Sequence, residues 1–533
     1  MCGITFVHSN DLHKIKTNEL QGKVSKRGPD DERYISIEST AFLGFNRLRI
    51  QDQSSDAMQP FCQDNVWMMC NGEIFNWKEL VKKYDLKLKT DCDCEVILHL
   101  FNLFTSQLPY AGAVEKLCNE LDAEFAFVLY VKAGNFEEDI VIAARDPFGV
   151  RPLFFGDLLE THGVGFGSEM KSIQEVCSRV EQFPPGHYIV SNKIYSYRPP
   201  FPKIDAVCDM QEDSALHSIN SALKTAVKKR LMSDREICCL LSGGLDSSLI
   251  AGLVSQHFPP GTLKTFSIGL KGSPDLHYAK LVAKHIQSDH TSIEMSEEEF
   301  LDAIDKVIFT IESYDTTTVR ASVGNYLVSK YIRENSECKV VFNGDYADEV
   351  CGGYKYFTRC DDETEFHDEC IRLTNHIHYF DSLRSDRCIS SNGLEARVPF
   401  ADKNFVMTYL ALPAKLRMSN VRIEKYLLRK AFEGENIIPN EILWRKKEAF
   451  SDGVSSIENS WHKILKSFVD KHLTEDEYIK MKEDPINPAI SKETAFYKSA
   501  FKKHFKFDSA IPYFWLPRFC GDMNGEPSAR EID

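Results

Sequence analysis

The stretch from residue 236 to residue 287 alternates apolar runs with helical patterns, and this alternation limits the folds open to the chain. Residues 236–241 (EICCLL) are predicted to form a buried strand, followed by a helix over 246–257. A second strand (263–268) and a second helix (about 275–287) follow. Strands that alternate with helices in this way form parallel sheets covered by helices. We therefore predict an α/β, doubly wound parallel sheet for this half of the chain.

The segment 242–248 (SGGLDSS) lies between the first of these strands and its helix. Glycines let the backbone approach a ligand closely, and the N–H groups at a helix start attract anions. The segment therefore predicts a cradle for phosphate or pyrophosphate, with Asp246 placed to bind Mg²⁺. A generic strand–glycine–helix turn is the alternative, which the seven-residue string in this setting disfavours. The segment 242–248 is not a Walker A loop, because no Gly-Lys-Ser/Thr follows it.

The remaining patterns divide the chain into two domains. Residues 1–190 combine strand-like runs (41–50, 66–71, 125–132 and 140–145) with helical stretches such as 94–106, which indicates an α+β layered domain. A linker is predicted at 191–212, because 198–212 holds three prolines and little periodicity. The second domain spans 213–520, with a helix at 214–232 and a mainly helical extension over 300–440 that includes one strand at 338–342. Residues 521–533 form a polar tail.

Composition excludes several classes of protein. The 64 Lys and Arg against 79 Asp and Glu leave a net charge of −15, which argues against nucleic-acid binding through a general basic surface. Mean hydropathy is −0.31, and no apolar run approaches the roughly 20 residues of a membrane span. The 16 cysteines are scattered and no secretory signal is visible, so reduced thiols and a cytoplasmic location are expected. Cys92-Asp93-Cys94 and Cys238-Cys239 lack the usual spacing of a structural zinc site.

Cys2 is a candidate nucleophile. The small residue at position 2 permits removal of Met1, which would expose Cys2 with a free α-amine. That amine titrates near pH 8 and can act as the base for its own thiol. A small buried residue near a terminus is the alternative interpretation.

Further residues suit the recognition of a free amino acid. Asn71 and Gly72 offer the amide and backbone donors of an oxyanion hole. Arg47 can hold a carboxylate through two parallel hydrogen bonds, and Glu73 or Asp93 can receive an ammonium group. Taken singly, each of these residues is equally explained by a turn or a surface salt bridge.

The motifs MCGI, RGPDD, RLRI, CNGEIFN, DCEVI and RDPFGVRPLF resemble the glutaminase domain of class II amidotransferases. The resemblance implies the N-terminal-nucleophile fold, an αββα sandwich. It also implies that Cys2 attacks the side-chain amide of glutamine and releases ammonia and glutamate. By the same resemblance, glutamine is held by Arg47, Ile50, Gln51, Asn71, Gly72, Glu73 and Asp93. Because RDPFGVRPL also resembles the phosphoribosyl amidotransferases, this domain alone leaves the ammonia acceptor open.

SGGLDSS resembles the pyrophosphate loop of the ATP-pyrophosphatase family, whose members adenylate a substrate and release pyrophosphate. The resemblance implies Mg²⁺ at Asp246 and at Asp348, within the acidic segment NGDYADEV. It implies ATP binding by Leu240, Ser242, Gly243, Gly244, Asp246, Ser247, Ile268, Asn343 and Gly344.

A glutaminase domain followed by this synthetase domain is the order of the glutamine-hydrolysing asparagine synthetases, and segments 266–276, 312–322, 394–403 and 444–454 are similar to that family. The resemblance implies that aspartate reacts with ATP to give β-aspartyl-AMP, which ammonia converts to asparagine and AMP. It also implies a homodimer. Residues placed at the synthetase site are Thr317, Thr318, Arg320, Asp345, Asp381, Arg384 and Lys447, of which Lys447 neutralises phosphate charge.

One loop departs from the family pattern. Residues 343–349 read NGDYADE where the family usually has SGEGSDE. Asp345 is shorter than Glu by about 1.5 Å, and Tyr346 replaces a glycine, so a positive φ there would be strained. Two alternatives therefore stay open: a glutaminase with a weak or regulatory synthetase half, and amidation of another carboxylate. SGGLDSS disfavours a phosphoribosyl amidotransferase, and a pure binding module has no need of an N-terminal thiol.

Overall fold

The computed structural model describes residues 1–134, 138–204, 210–420, 422–456, 458–508 and 511–520. The first domain contains twelve strands and three helices within these ranges. The strands are β1 (Gly3–Ser9), β2 (Asp31–Ile37), β3 (Ala41–Arg47), β4 (Phe61–Gln63), β5 (Val66–Ile74), β6 (Ala123–Val131), β7 (Ile140–Arg145), β8 (Phe154–Asp157), β9 (Gly163–Gly167), β10 (Glu181–Gln182), β11 (His187–Val190) and β12 (Lys193–Ser196). The helices are α1 (Trp77–Tyr84), α2 (Glu95–Thr105) and α3 (Tyr110–Glu120).

These strands form two six-stranded antiparallel sheets, in the orders β10-β8-β9-β1-β3-β2 and β12-β11-β7-β6-β5-β4. The sequence of β6 shows how they pack, because successive side chains of a strand point to opposite faces. Phe125, Phe127 and Leu129 pack with α1–α3, whereas Ala126 and Val128 pack between the two sheets. The predicted sandwich is confirmed, and both faces of its second sheet are buried.

The second domain is built on a five-stranded parallel sheet, as predicted. Its order is β15-β14-β13-β16-β17. The strands are β13 (Ile237–Leu240), β14 (Lys264–Leu270), β15 (Asp289–Met295), β16 (Val340–Phe342) and β17 (Glu395–Arg397). Sequence analysis missed β15 and β17. Within 300–440 it predicted one strand, at 338–342, whereas the structure has two, β16 and β17. Both missed strands lie at sheet edges and are rich in charged and polar residues, so neither shows an apolar run.

Seventeen helices surround this sheet within the described residues. Those nearest the loops of interest are α5, which follows the SGGLDSS loop, and α9, α10, α12 and α15. The full set is α4 (Glu212–Lys229), α5 (Leu245–Ser255), α6 (Pro274–Ile286), α7 (Glu297–Asp302), α8 (Ile304–Ile311), α9 (Thr316–Asn335), α10 (Ala347–Cys351), α11 (Glu363–His376), α12 (Asp381–Ser390), α13 (Lys403–Ala411), α14 (Ala414–Arg417), α15 (Tyr426–Ala431), α16 (Asn440–Leu443), α17 (Phe450–Gly453), α18 (Trp461–His472), α19 (Glu475–Lys482) and α20 (Lys492–His504).

The predicted linker is shorter in the structure. β12 lies within 191–212 and pairs with β11, so the sheet of the first domain extends to Ser196. Residues 205–209 of the linker and the polar tail at 521–533 lie outside the described residues. Among the residues that are described, none of the helices has the length and apolar character needed to span a bilayer.

Buried ion pairs join the two domains. Arg27 Nη1 lies 2.9 Å from Glu169 Oε1 in its own domain and 2.7 Å from Asp386 Oδ2 in the other. Arg397 Nη2, on β17, lies 3.1 Å from Glu73 Oε1, on β5. These side chains are almost fully buried. Removal of one partner from such a pair typically costs 3–5 kcal/mol, so the pairs hold the domains in one arrangement.

Candidate active sites

Cys2 lies at the start of β1, beside a small cavity in the first domain. The cavity encloses about 30 Å³, so glutamine entry requires side chains to move. Of the seven predicted glutamine-binding residues, six line it and Asn71 contacts Cys2 directly. The lining also includes residues that sequence analysis did not select: Leu48, Gln59, Cys70, Cys92, Cys94 and Glu395.

The contacts of Cys2 suit a nucleophile that needs a base. Its backbone N–H donates to Asn71 Oδ1 at 2.9 Å, and its thiol lies 3.9 Å from the Leu48 carbonyl oxygen. Burial raises the pKa of the Cys2 thiol to about 11, so the thiol is protonated at neutral pH. The Met1 amine lies 3.6 Å from Glu395 Oε2.

Asn71 presents a free donor beside this thiol. Its side chain is 1% exposed, and its Nδ2 has no hydrogen-bond partner among the described residues. A buried amide donor without a partner is costly, so this one is available for a substrate oxygen. Gly72 follows on β5, where an added Cβ would lie 2.5 Å from the Glu124 carbonyl oxygen. Only glycine therefore fits this position.

Arg47 is held by its own loop. Its guanidinium donates to the carbonyl oxygens of Ser54 at 2.6 Å, Gln51 at 3.4 Å and Asp52. It still lines the cavity, but its donors are already engaged. Carboxylate recognition by Arg47 therefore requires some of these bonds to be exchanged.

The two predicted acidic residues differ in their surroundings. Asp93 Oδ2 accepts the Ile74 N–H at 2.6 Å, and burial raises the pKa of Asp93 to about 6. Glu73 faces Arg397 of the second domain, and burial raises its pKa well above the usual value. Asp93 forms no ion pair within the described residues, so it is the carboxylate better placed for an ammonium group. Sequence analysis missed Arg397, because nothing near position 397 signals a contact with position 73.

The second site is a cavity of about 220 Å³ at the carboxyl ends of the parallel strands. Ligands bind at this edge in open α/β sheets. Predicted residues on its wall are Leu240, Ser242, Gly244, Asp246, Ser247, Ile268, Thr317, Asn343, Gly344, Asp345, Asp348, Asp381, Arg384 and Lys447. Gly243, Thr318 and Arg320 are not on the wall.

The two exceptions on α9 have different causes. Residues four apart lie on one face of a helix, and Thr317, Ala321 and Asn325 line the cavity. Thr318 follows Thr317 by one residue, so it points elsewhere and donates to Asp315 Oδ2 at 2.8 Å. Arg320 follows Thr317 by three residues, but its side chain turns to Glu493, with its Nε 2.8 Å from Oε1. Neither residue lines the cavity, and their roles at the synthetase site stay predictions.

The SGGLDSS loop and the loop after β16 pack closely together. Gly243 has a φ of +73°, and an added Cβ would lie 2.5 Å from Tyr278 Cβ. An added Cβ on Gly344 would lie 2.6 Å from the backbone of Asp246. Ser242 Oγ and Ser247 Oγ lie 2.9 Å apart across the first loop. Gly344 allows the two loops to meet, with Asp246 and Asp348 side by side, while Gly243 allows the first loop to pack against α6.

Two lysines bridge these carboxylates. Lys425 Nζ, fully buried, lies 2.6 Å from Asp246 Oδ2 and 2.6 Å from Asp348 Oδ1. Lys447 Nζ contacts Asp348 and lies 3.9 Å from Asp246 Oδ2. Although burial opposes it, Lys425 and Lys447 lower the pKa of Asp348. The two carboxylates supply the oxygen donors that Mg²⁺ prefers, and Lys425 Nζ lies between them in this structure. Sequence analysis missed Lys425, which stands alone in RIEKYLL without a recognisable pattern.

Tyr346 adopts the backbone conformation that was expected to be strained. Its φ is +78° and its ψ is −14°. The side chain is 2% exposed, and its hydroxyl contacts Ser382 Oγ. The neighbouring Asp345 Oδ1 lies 2.6 Å from Arg384 Nη2, while its Oδ2 has no partner among the described residues. The altered loop thus holds an acid in the cavity, at the expense of backbone strain at Tyr346.

Comparisons with known proteins agree with this geometry. The asparagine synthase family model matches residues 218–365 and 358–515, and the glutamine amidotransferase domain model matches residues 1–204. The glutamine-hydrolysing asparagine synthetase of Gallus gallus is 39% identical over 100% of this chain and 98% of its own length. The probable enzyme of Acanthamoeba polyphaga mimivirus is 39% identical over 99% of both chains, and that of Bos taurus is 38% identical over 100% and 98%. The chain therefore belongs to the family of glutamine-hydrolysing asparagine synthetases.

Proposed function

We propose that this protein makes L-asparagine from L-aspartate and ATP, with ammonia taken from glutamine. Residues 1–190 hydrolyse glutamine, and residues 213–520 activate and amidate aspartate. The observation that carries the proposal is the pairing of two different sites in one rigid arrangement. A thiol beside a free amide donor lies in one domain, a glycine loop beside paired carboxylates lies in the other, and the Glu73–Arg397 ion pair joins them.

In the first domain, removal of Met1 frees the α-amine of Cys2, which takes the proton of the thiol. The sulfur then attacks the amide carbon of glutamine, and a C–S bond forms. Asn71 Nδ2 and the Gly72 N–H stabilise the negative oxygen of this intermediate. The C–N bond breaks to release ammonia, and water hydrolyses the thioester to glutamate. Asp93 receives the ammonium group of glutamine.

In the second domain, Asp246 and Asp348 would hold Mg²⁺, which would compensate phosphate charge when ATP is bound. The β-carboxylate of aspartate attacks the α-phosphorus, and pyrophosphate leaves. Lys447 and Lys425 compensate the charge that remains on the phosphate oxygens. Ammonia then attacks the acyl carbon, and AMP leaves. Asp345, whose Oδ2 is unpartnered on the cavity wall, accepts the proton that the nitrogen loses.

Separate sites have a chemical reason. Ammonia in water at pH 7 is mostly ammonium, which has no lone pair for attack. Delivery through the buried interface between the domains avoids this protonation. The ion pairs of Arg27 and Arg397 line that interface and keep its two faces in register.

A second candidate is a glutaminase whose synthetase half is weak. The positive φ of Tyr346 supports it, because the family has glycine there and strain of 1–3 kcal/mol is typical of such a residue. The arrangement of Asp345 and Arg384 favours the full enzyme.

The decisive experiment is ATP–pyrophosphate exchange with and without aspartate. We expect exchange that depends on aspartate, together with asparagine formation from either glutamine or ammonium. Cys2→Ala abolishes the glutamine-dependent reaction and spares the ammonium-dependent one, while Cys62→Ala, at an exposed thiol, changes neither. Absence of exchange in a protein that still hydrolyses glutamine establishes the second candidate. Loss of both activities in folded Cys2→Ala contradicts the division of labour.

A cytoplasmic location and a homodimer are further parts of the proposal. The first is supported by the cysteines, because every one that the structure describes is a free thiol. The second rests on the family alone. Cell fractionation tests the location, and light scattering of the purified protein tests the dimer.

A further inference from the structure

Three thiols and one carboxylate meet beside the glutamine cavity. Cys70 lies on β5, and Cys92, Asp93 and Cys94 lie just before α2, with Cys94 at its N-cap. The ligand atoms of Cys92, Asp93 and Cys94 all lie within 4.8 Å of one another. The Cys94 thiol also contacts the thiols of Cys70 and Cys92. We propose that this cluster, called the thiol cluster below, binds one thiophilic divalent cation such as Zn²⁺.

The distances are close to those of a metal site. Zinc–sulfur bonds of about 2.3 Å place tetrahedral sulfur ligands about 3.8 Å apart. In the structure, Cys94 Sγ lies 3.9 Å from Asp93 Oδ2, and Cys92 Sγ lies 4.0 Å from Asp93 Oδ1. A contraction of about 1 Å or less therefore brings Cys92, Asp93 and Cys94 around one ion as three ligands. Soft sulfur donors favour Zn²⁺ or Cd²⁺ over Mg²⁺ or Ca²⁺.

The position of the thiol cluster is fixed by its surroundings. The Cys70 N–H donates to Gln59 Oε1 at 2.6 Å, and Asp93 Oδ2 accepts the Ile74 N–H. All four side chains of the cluster are less than 8% exposed. Cation binding to thiolates releases the thiol protons, which pass to solvent. The Cys-Asp-Cys spacing alone argued against a zinc site, and it is the convergence of these three side chains in the folded chain that favours one.

The cluster opens into the cavity beside Cys2. Cys70, Cys92, Asp93 and Cys94 line the same cavity as the nucleophile. An ion bound there occupies Asp93, the carboxylate to which we assign the ammonium group of glutamine. Bound Zn²⁺ therefore inhibits glutamine hydrolysis and leaves ammonium-dependent synthesis intact. This consequence rests on the proposed function, whereas cation binding itself does not.

Titration of the reduced, full-length protein with Cd²⁺ tests the site directly, because cadmium–thiolate bonds absorb in the ultraviolet. We expect one tightly bound Cd²⁺ per chain. Cys92→Ser and Cys94→Ser weaken its binding tenfold or more, while the control Cys118→Ser, a buried thiol of α3 in the same apolar core, leaves it unchanged. Absence of the absorption band in the unaltered protein overturns the proposal, as does unchanged binding in folded Cys92→Ser. If Cys94→Ser does not fold, the titrations of the unaltered protein and of Cys92→Ser still show whether the thiol cluster binds Cd²⁺.

A second measurement tests the functional consequence. Zn²⁺ is added to the glutaminase and ammonium-dependent assays, and each rate is compared with the same variant's zinc-free rate. We expect tenfold or greater inhibition of the glutaminase reaction alone, reversal by a chelator, and weaker inhibition of Cys92→Ser. Equal inhibition of both reactions, or of Cys92→Ser and the unaltered protein, contradicts the inference. If the metal-free protein hydrolyses no glutamine, the proposed function is refuted. The Cd²⁺ titration still tests cation binding by the thiol cluster in that case.

Discussion

Arg384 Nη2 lies 2.6 Å from Asp345 Oδ1 and 3.2 Å from Asp381 Oδ2, so one arginine of α12 holds two acids of the synthetase cavity. Asp345 stands where the family has the longer glutamate. The short contact shows that the arginine reaches the shorter acid without a gap. The loop has therefore adjusted around Asp345, and this relationship leads to the first prediction.

Asp345→Glu is expected to leave ATP–pyrophosphate exchange unchanged or to reduce it. The added methylene would press against Arg384 in a buried setting, and such overpacking typically costs 1–3 kcal/mol. Exchange assays on the single variant measure this effect. The triple variant Asp345→Glu, Tyr346→Gly, Ala347→Ser restores three family residues. A gain of tenfold or more in that variant, about 1.4 kcal/mol of barrier, would show a decayed loop instead of an adjusted one.

Tyr346→Gly is expected to be more stable than Tyr346→Ala by about 1 kcal/mol. At most positions glycine is the less stable of the two, because it has more conformational freedom to lose on folding. At Tyr346 the order reverses, since only glycine adopts a φ of +78° without strain. Both variants are less stable than the unaltered protein, because removal of a large buried side chain costs roughly 3–5 kcal/mol. Chemical unfolding of the three proteins gives the order, and a more stable alanine variant would contradict it.

Asn71→Ala should lower the rate of glutamine hydrolysis by about 10² to 10³, the usual loss for one oxyanion donor. The reason is that Nδ2 of Asn71, which contacts Cys2 through its Oδ1, is a buried donor without a partner among the described residues. Ammonium-dependent synthesis should be unaffected, as should both activities of the exposed-site control Asn192→Ala. An equal loss in the two assays would point to a folding defect.

Glutamine binding should weaken as the pH falls through about 6. Burial raises the pKa of Asp93 to about 6, so its carboxylate form dominates only above that pH. Between pH 7 and pH 5 the ionised fraction falls about tenfold, and the KM for glutamine should rise by a similar factor. In Asp93→Asn the KM for glutamine is expected to be high at every pH between 5 and 7, and its rise at low pH disappears. A step of the same size in the variant would assign the titration to another group.

Asp246→Asn should abolish ATP–pyrophosphate exchange and preserve glutamine hydrolysis. The change removes one of two carboxylates that face the shared cation position, and it leaves Lys425 with a single ionised partner. Asp289→Asn, at an exposed position on the edge strand of the same sheet, is the matched control. Exchange at the original rate in Asp246→Asn would exclude Asp246 as a metal ligand.

Local sequence alone determined the two domains, and most of the residues that it predicted for the two sites lie on the cavity walls. SGGLDSS identifies its loop because strand, glycines and helix start are contiguous, so their geometry follows from neighbouring residues. The same holds for Cys2 and for CNGEIFN. Sequence analysis missed the polar edge strands β15 and β17, because tertiary pairing and not local pattern makes them strands.

Only the tertiary structure decided which distant residues complete each site. Lys425 reaches Asp246 and Asp348, Arg397 reaches Glu73, and Cys70 reaches Cys94, each from a remote segment. It also decided that Thr317 faces the cavity while Thr318, rotated by about 100° on the helix, faces away, and that the Arg320 side chain turns to Glu493. Contacts of this kind depend on how whole helices and strands pack against one another, and the local sequence around each residue does not show that packing.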